Sequence, residues 1–207
     1  MICYREKDYE DKGMPRSHPY DGASYDARVA YYDFRKHPSL IREKLENFKP
    51  FDRHDGIQKF YELVEWINSR ESFFESNDCC FDEPFPRRSH TSSDKALECH
   101  GRLLIFFNNL EANLQDETTE WLRLALDKCI NEADVGYEDG IIGLCFFNTM
   151  FEEVNDQIGR ELAIRFWVFG ETEIEIYLNL GRTFVNLLEA LKAVNREISR
   201  QGTELDR

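Results

Sequence analysis

The side chains of this chain best equipped for chemistry lie between positions 79 and 100: Cys79 and Cys80, then His90, then Cys99 and His100. Thiolate and imidazole are ligands that zinc prefers, and a cysteine with a histidine is also the minimum for a nucleophile and its base. The spacing argues against metal, because structural zinc sites separate paired ligands by about two to four residues and adjacent side chains diverge. The plainer reading is a loop with two thiols that leads into a strand burying Cys99. A metal-binding protein or enzyme using the Cys/His-containing loop 79–100 stands as the alternative.

Other constellations carry less. The histidines at 18, 37, 54, 90 and 100 include no HxxxH or HExxH pair, and GYEDGIIG (136–143) matches neither GxxxxGK[ST] nor GxGxxG. Neighbouring carboxylates such as Glu152 with Glu153, or Glu171 with Glu173, belong on any acidic surface or helix start and single out no acid–base pair. No catalytic residue, metal site or cofactor is assigned.

Charge is more informative. The formal net charge is −14, and residues 111–139 alone hold nine acidic and two basic side chains, half of that excess. Residues 1–55 are balanced at 11 and 11. Such a field repels phosphate backbones and anionic membrane surfaces, so neither nucleic acid nor a membrane is an expected partner. No apolar run is long enough to span a bilayer, and MICYREKDYEDKG lacks the apolar centre of a secretory signal. Six irregularly spaced cysteines do not form a disulfide framework, so reduced thiols and a cytoplasmic location are expected.

Periodicity predicts the elements that must position these residues. Residues 1–38 read as an irregular, aromatic-rich arm, interrupted by Pro15, Pro19 and Pro38, with Tyr20, Tyr25, Tyr31, Tyr32 and Phe34 available to lie across the domain or to make a homodimer. Residues 39–207 read as one domain. Leu40, Ile41, Leu45 and Phe48 predict a short helix after Ser39, and Ile57, Phe60, Tyr61, Val64 and Ile67 a second one capped by Asp55. Residues 70–94 lack sustained periodicity and read as a long loop. Leu103–Phe107 is a strand apolar on both faces, followed by a helix capped by Asp116 or Thr118 with a stripe of Trp121, Leu122, Ala125, Leu126 and Cys129. Residues 141–151 form a second strand and 152–159 a connection. In 162–169, Leu162, Ile164, Phe166 and Val168 alternate with Ala163, Arg165, Trp167 and Phe169 as a third strand.

Residues 171–180 fit a hairpin or a helix. The helix is favoured, because the stripe Ile174, Tyr177, Leu178, Gly181, Phe184, Val185, Leu188, Leu191, Ile198 continues past Leu180. The resulting order over 97–199, strand-helix-strand-strand-helix, implies an α+β fold: a small antiparallel or mixed sheet with helices packed on it, plus an N-terminal helical extension.

An acidic α+β chain of this size with the segments NDCCF, HGRLLIFF and FWVFGETEIE, spread over residues 77–176, resembles bacterial immunity proteins that neutralise toxins delivered between competing cells. The resemblance implies a cognate protein toxin as partner and occlusion as mechanism. A basic toxin would be steered by the acidic surface. The expected contacts are Asp116, Glu117, Glu120, Asp127, Glu132, Asp134, Glu138 and Asp139, with Glu75, Asp78, Asp82 and Glu83 from the preceding loop. Phe81, Phe85 and Tyr137 are the expected anchors.

Overall fold

The alternating residues of 162–169 build the middle of a sheet whose two faces meet different neighbours. In the computed structural model, which describes residues 1–8, 16–19, 31–44, 53–88, 93–133 and 139–205, the strands are β1 (Ile2–Arg5), β2 (Arg16–His18), β3 (Phe74–Phe81), β4 (Phe85–Pro86), β5 (Leu97–Phe107), β6 (Gly140–Phe151) and β7 (Gln157–Gly170). The helices are α1 (Leu40–Lys44), α2 (Asp55–Ile67), α3 (Asp116–Glu132) and α4 (Glu173–Leu205). The strands form one open mixed sheet in the order β1-β6-β7-β5-β3, with β2 also on β6 and β4 also on β5. Strands β6, β7, β5 and β3 are antiparallel, whereas β1 and β2 run parallel to β6. The chain is therefore α+β, with helices packed on a sheet.

One face carries the helical layer. Helix α3 packs near β1, β6 and β7, α4 over β7 and β5, and α2 between α4 and β3. Leu103, Ile105, Leu144, Leu162, Ile164, Phe166 and Val168 point into this layer and form one buried cluster with the helices. The intervening Leu104, Cys145, Phe147 and Ala163 form a separate buried cluster, consistent with the opposite face of a strand pleat. That is why the Leu103–Phe107 run is apolar throughout.

Helix α4 begins where the favoured reading put it, but its buried stripe is Ile176, Tyr177, Leu180, Phe184, Leu187, Leu191 and Val194. Ile174, Leu178 and Val185 are exposed instead, because close approach to α2 turns the helix by its glycine side. At the crossing, a Cβ on Gly56 would collide with the Tyr177 carbonyl oxygen, and one on Gly181 would lie 3.0 Å from Gly56 Cα. Below the crossing, Phe184 packs at 4.8 Å from Phe60 and 5.2 Å from Phe166, centroid to centroid.

Residues 70–94 are not a long loop: they supply β3 and β4. The register of β3 against β5 shifts between Ser76 and Asp78, so Phe74 and Ser76 share a face with Cys79 and Phe81. This bulge adds one residue and breaks the two-residue alternation that announces a strand. Within the 1–38 arm, residues 2–5 and 16–18 are strands of the sheet. β1 is clamped to α3 by Asn131, whose Oδ1 accepts from Cys3 N–H at 3.0 Å and whose Nδ2 donates to Cys3 O at 3.1 Å. The caps also differ: His54 precedes α2 and Gln115 precedes α3, while Asp55 and Asp116 are first-turn residues favoured by the helix dipole. Strand β7 starts five residues earlier than its alternation suggests, at Gln157, after a turn through Asn155 and Asp156 at φ 60 and 57. The expected Leu45, Phe48, Tyr20 and Tyr25 lie outside the described residues.

Gly56→Ala is expected to lower stability by about 1–3 kcal/mol, the range for forced overpacking, because the obstacle is a backbone carbonyl that cannot rotate away. A denaturant midpoint unchanged by this substitution would show that the α2–α4 contact is not the constraint described.

Candidate functional site

The acidic residues expected to form one surface are separated by the fold and largely spoken for. On α3, Asp116 lies 3.2 Å from Arg160, Glu120 pairs with Arg123 at 2.5 Å, and Asp127 is 3.8 Å from Arg5 and accepts from Asn131 Nδ2 at 2.8 Å. Glu117 and Glu132 are exposed and make no ion pair among the described residues. Asp134, Tyr137 and Glu138 lie outside the described residues, and Asp139, half-buried just before β6, helps hold Lys95 in its charged form.

The second group belongs to β3 and the turn after it. Glu75 sits 3.4 Å from Arg35, yet burial outweighs that charge and lifts its carboxyl to about 7. Asp78 is 2.8 Å from Arg102 and 3.5 Å from Arg16. Asp82 and Glu83 are exposed; Phe85 is half-buried with its ring 5.1 Å from that of His100. Phe81 cannot serve as an anchor at a surface: it is 8% exposed and packed in the core, 5.4 Å from Phe60. The strand pleat and the bulge turn it toward α2 and α4.

The cysteines diverge as well. Cys79, opposite Leu103, and Cys99 pack with the core of the helical layer, whereas Cys80 is opposite Arg102, and His100 packs against Trp167 on the other face. No group of three or more histidine, cysteine or carboxylate side chains fit to hold a metal occurs among the described residues, and His90 lies outside them. All six cysteines are free. Burial pushes the thiols of Cys79 and Cys99 far up and that of Cys80 up to about 11, which leaves them protonated and poor nucleophiles.

What the structure does assemble around α3 is a cavity of about 570 Å³ at its N-terminal end. Phe73, Phe107, Ala112, Trp121 and Ile198 line it with apolar surface, and Glu117, Thr118, Asn108, Asn109 and Gln201 supply its polar groups. Its walls are fixed by two asparagines. Asn113, 1% exposed in the 3-10 turn Leu110–Leu114, accepts from Phe107 N–H and donates to Phe107 O, both at 2.8 Å. Asn195 on α4 accepts from Phe73 N–H at 2.9 Å and donates to Glu71 O at 3.0 Å. A concave, mostly apolar space of this size with a few polar groups suits a small ligand or an inserted side chain.

Glu117 and Trp121 were legible as an acidic residue and a helix-stripe residue; that they share a cavity was not. Phe73 just before β3, Phe107 at the end of β5 and Ile198 on α4 reach it from positions distant in sequence. The only local sign was the pair Phe73-Phe74, in which one ring is buried and the other 37% exposed. Compared with family models, with curated proteins and with solved structures, the chain finds no match.

In the native protein at pH 8, Cys79 and Cys99 are expected to resist a thiol-specific disulfide reagent, while Cys129, the least enclosed of the six with a raised thiol, reacts first. Residue-resolved labelling by mass spectrometry checks this, and fast modification of Cys99 would contradict the burial described.

Proposed function

We propose that the protein is a binding protein that occludes a basic protein partner in the cytoplasm, in the manner of the toxin-neutralising immunity proteins its sequence resembles. The observation that carries this reading is the aromatic cavity on the acidic helix, with the exposed carboxylate of Glu117 on its lining. Charge of one sign accelerates encounter and orients the partner, but affinity comes from a few buried anchors. Here the cavity would accept an anchor from the partner, with Phe73 and Trp121 around it and Glu117 beside any cationic group it carries. Ion pairs within the chain already occupy Asp116, Glu120 and Asp127, which therefore contribute to the long-range field more than to close contacts.

No helix of the described residues is long and apolar enough to cross a membrane. The reading requires no chemistry from the protein itself: blocking the partner's active surface is sufficient.

The test is co-expression with a basic toxin domain, should one be encoded beside the gene. Growth is expected to be rescued by the wild type and lost with Trp121→Ala, which should weaken the complex by about 30-fold or more if Trp121 is an anchor. Glu117→Lys should reduce both affinity and its dependence on salt. Binding that ignores both substitutions would move the site elsewhere, and failure of any such toxin to bind the wild type would dismiss the function.

A further inference from the structure

On the face away from the helices, a polar cluster is sealed under the N-terminal residues. Glu161 on β7 is 0% exposed, and its Oε1 accepts from Asn77 Nδ2 at 2.5 Å. Asn77 Oδ1 in turn accepts from His18 Nδ1–H at 3.1 Å, which fixes the tautomer of the ring. The His18 ring, 2% exposed, lies 4.4 Å from Phe106, 4.9 Å from Tyr31 and 5.8 Å from Phe151. Glu161 Oε2 and the Thr149 hydroxyl, both buried, make no hydrogen bond of good geometry among the described residues.

Three segments far apart in sequence meet here: β7, β3 and β2. The residues of β2 pair with Thr149–Phe151, and Arg35 reaches back to Ser72 O at 3.2 Å, Phe74 O at 3.4 Å and the Glu75 carboxylate at 3.4 Å. We infer that residues 16–19 and 31–35 act as a strap across this face, and that a proton on Glu161 holds the strap shut. With the proton in place the carboxyl is neutral and its O–H has the Thr149 oxygen nearby as an acceptor. Without it, an anion is enclosed whose burial outweighs what Asn77 and Thr149 offer it, and admitting water by lifting the strap relieves it.

The charged and titratable neighbours define the direction. Arg16, on the strap, attracts the Glu161 anion, Asp78 repels it, and Thr149 and Asn77 favour its charged form; burial outweighs the net attraction and lifts the carboxyl to about 7. Tyr31 and Glu75 share the same face, and Glu75 is also raised to about 7. With the strap open, both carboxyls return to about 4.3. The closed form therefore holds more protons between those values, so its advantage is present at low pH and is lost as pH rises through about 7. His18 has the opposite sign, because burial lowers its pKa and acidification below about 6.5 favours the open form.

Hydrogen-exchange protection factors of the β2 and Thr149–Phe151 amides, referenced to the β5–β7 ladder, read out the strap. Between pH 6 and 8 protection is expected to fall about tenfold on account of Glu161 in the wild type. In Glu161→Gln, which preserves shape and stays neutral, that part of the fall should vanish. In Glu75→Gln/Glu161→Gln protection should rise with pH through the range where His18 titrates. A pH dependence in Glu161→Gln equal to that of the wild type would overturn the inference, as would one abolished by Glu75→Gln alone.

Discussion

The approach of α4 to α2 at Gly56 and Gly181 is the constraint on which the rest of the molecule depends. Two glycines let the backbones meet closely enough for Phe184 to reach Phe60, Phe81 and Phe166, and so tie both helices to β3 and β7. A helix of 33 residues is about 50 Å long. Fixing its first half therefore aims its second half, and the far end supplies Asn195 and Ile198 to the cavity beside α3. The packing that stabilises one end of the domain thus determines the shape of the site at the other.

Helices on one face leave the other to be closed by something else. Strands β1 and β2 complete the edge beyond β6, and His18, Tyr31 and Arg35 cover part of the exposed pleat with aromatic and charged groups. Because this cover is polar as well as apolar, it encloses carboxyls along with Phe106 and Phe151. An enclosed carboxylate is costly unless paired, and the fold supplies Glu161 with one short hydrogen bond and the partial attraction of Arg16. Under the helices the buried polar groups are uncharged, and Asn68, Ser76, Asn179 and Thr183 are hydrogen-bonded there.

Much of this architecture was legible because it rests on local pattern. The alternation in 162–169, the apolar runs of β5 and β6 and the long stripe of α4 each declare an element through neighbours a few residues apart. β3 was illegible for a physical reason: its bulge at Asn77 resets the phase between Ser76 and Cys79, and its outward positions carry Glu75, Asp78 and Cys80. The strands of the N-terminal segment were hidden by brevity, since three or four residues pairing with a long β6 need no pattern of their own. For the site, sequence marked Glu117 by its charge, but charge alone did not distinguish it from Asp116 or Glu120, which arginines from β7 and α3 occupy.

That distinction bears on how an acidic surface becomes specific. A field set by a net charge of −14 acts on every basic molecule alike and weakens as salt screens it. Discrimination requires a place where the wrong partner leaves a polar group unsatisfied or a hollow unfilled. Asn113 and Asn195 fix the backbone at Phe107 and Phe73, and on the proposed reading the hollow between them would favour a side chain that fills it. On the proposed reading the acidic helix divides its labour: carboxylates paired within the chain would contribute to attraction at a distance, while Glu117 and the aromatic lining would decide what is retained on contact.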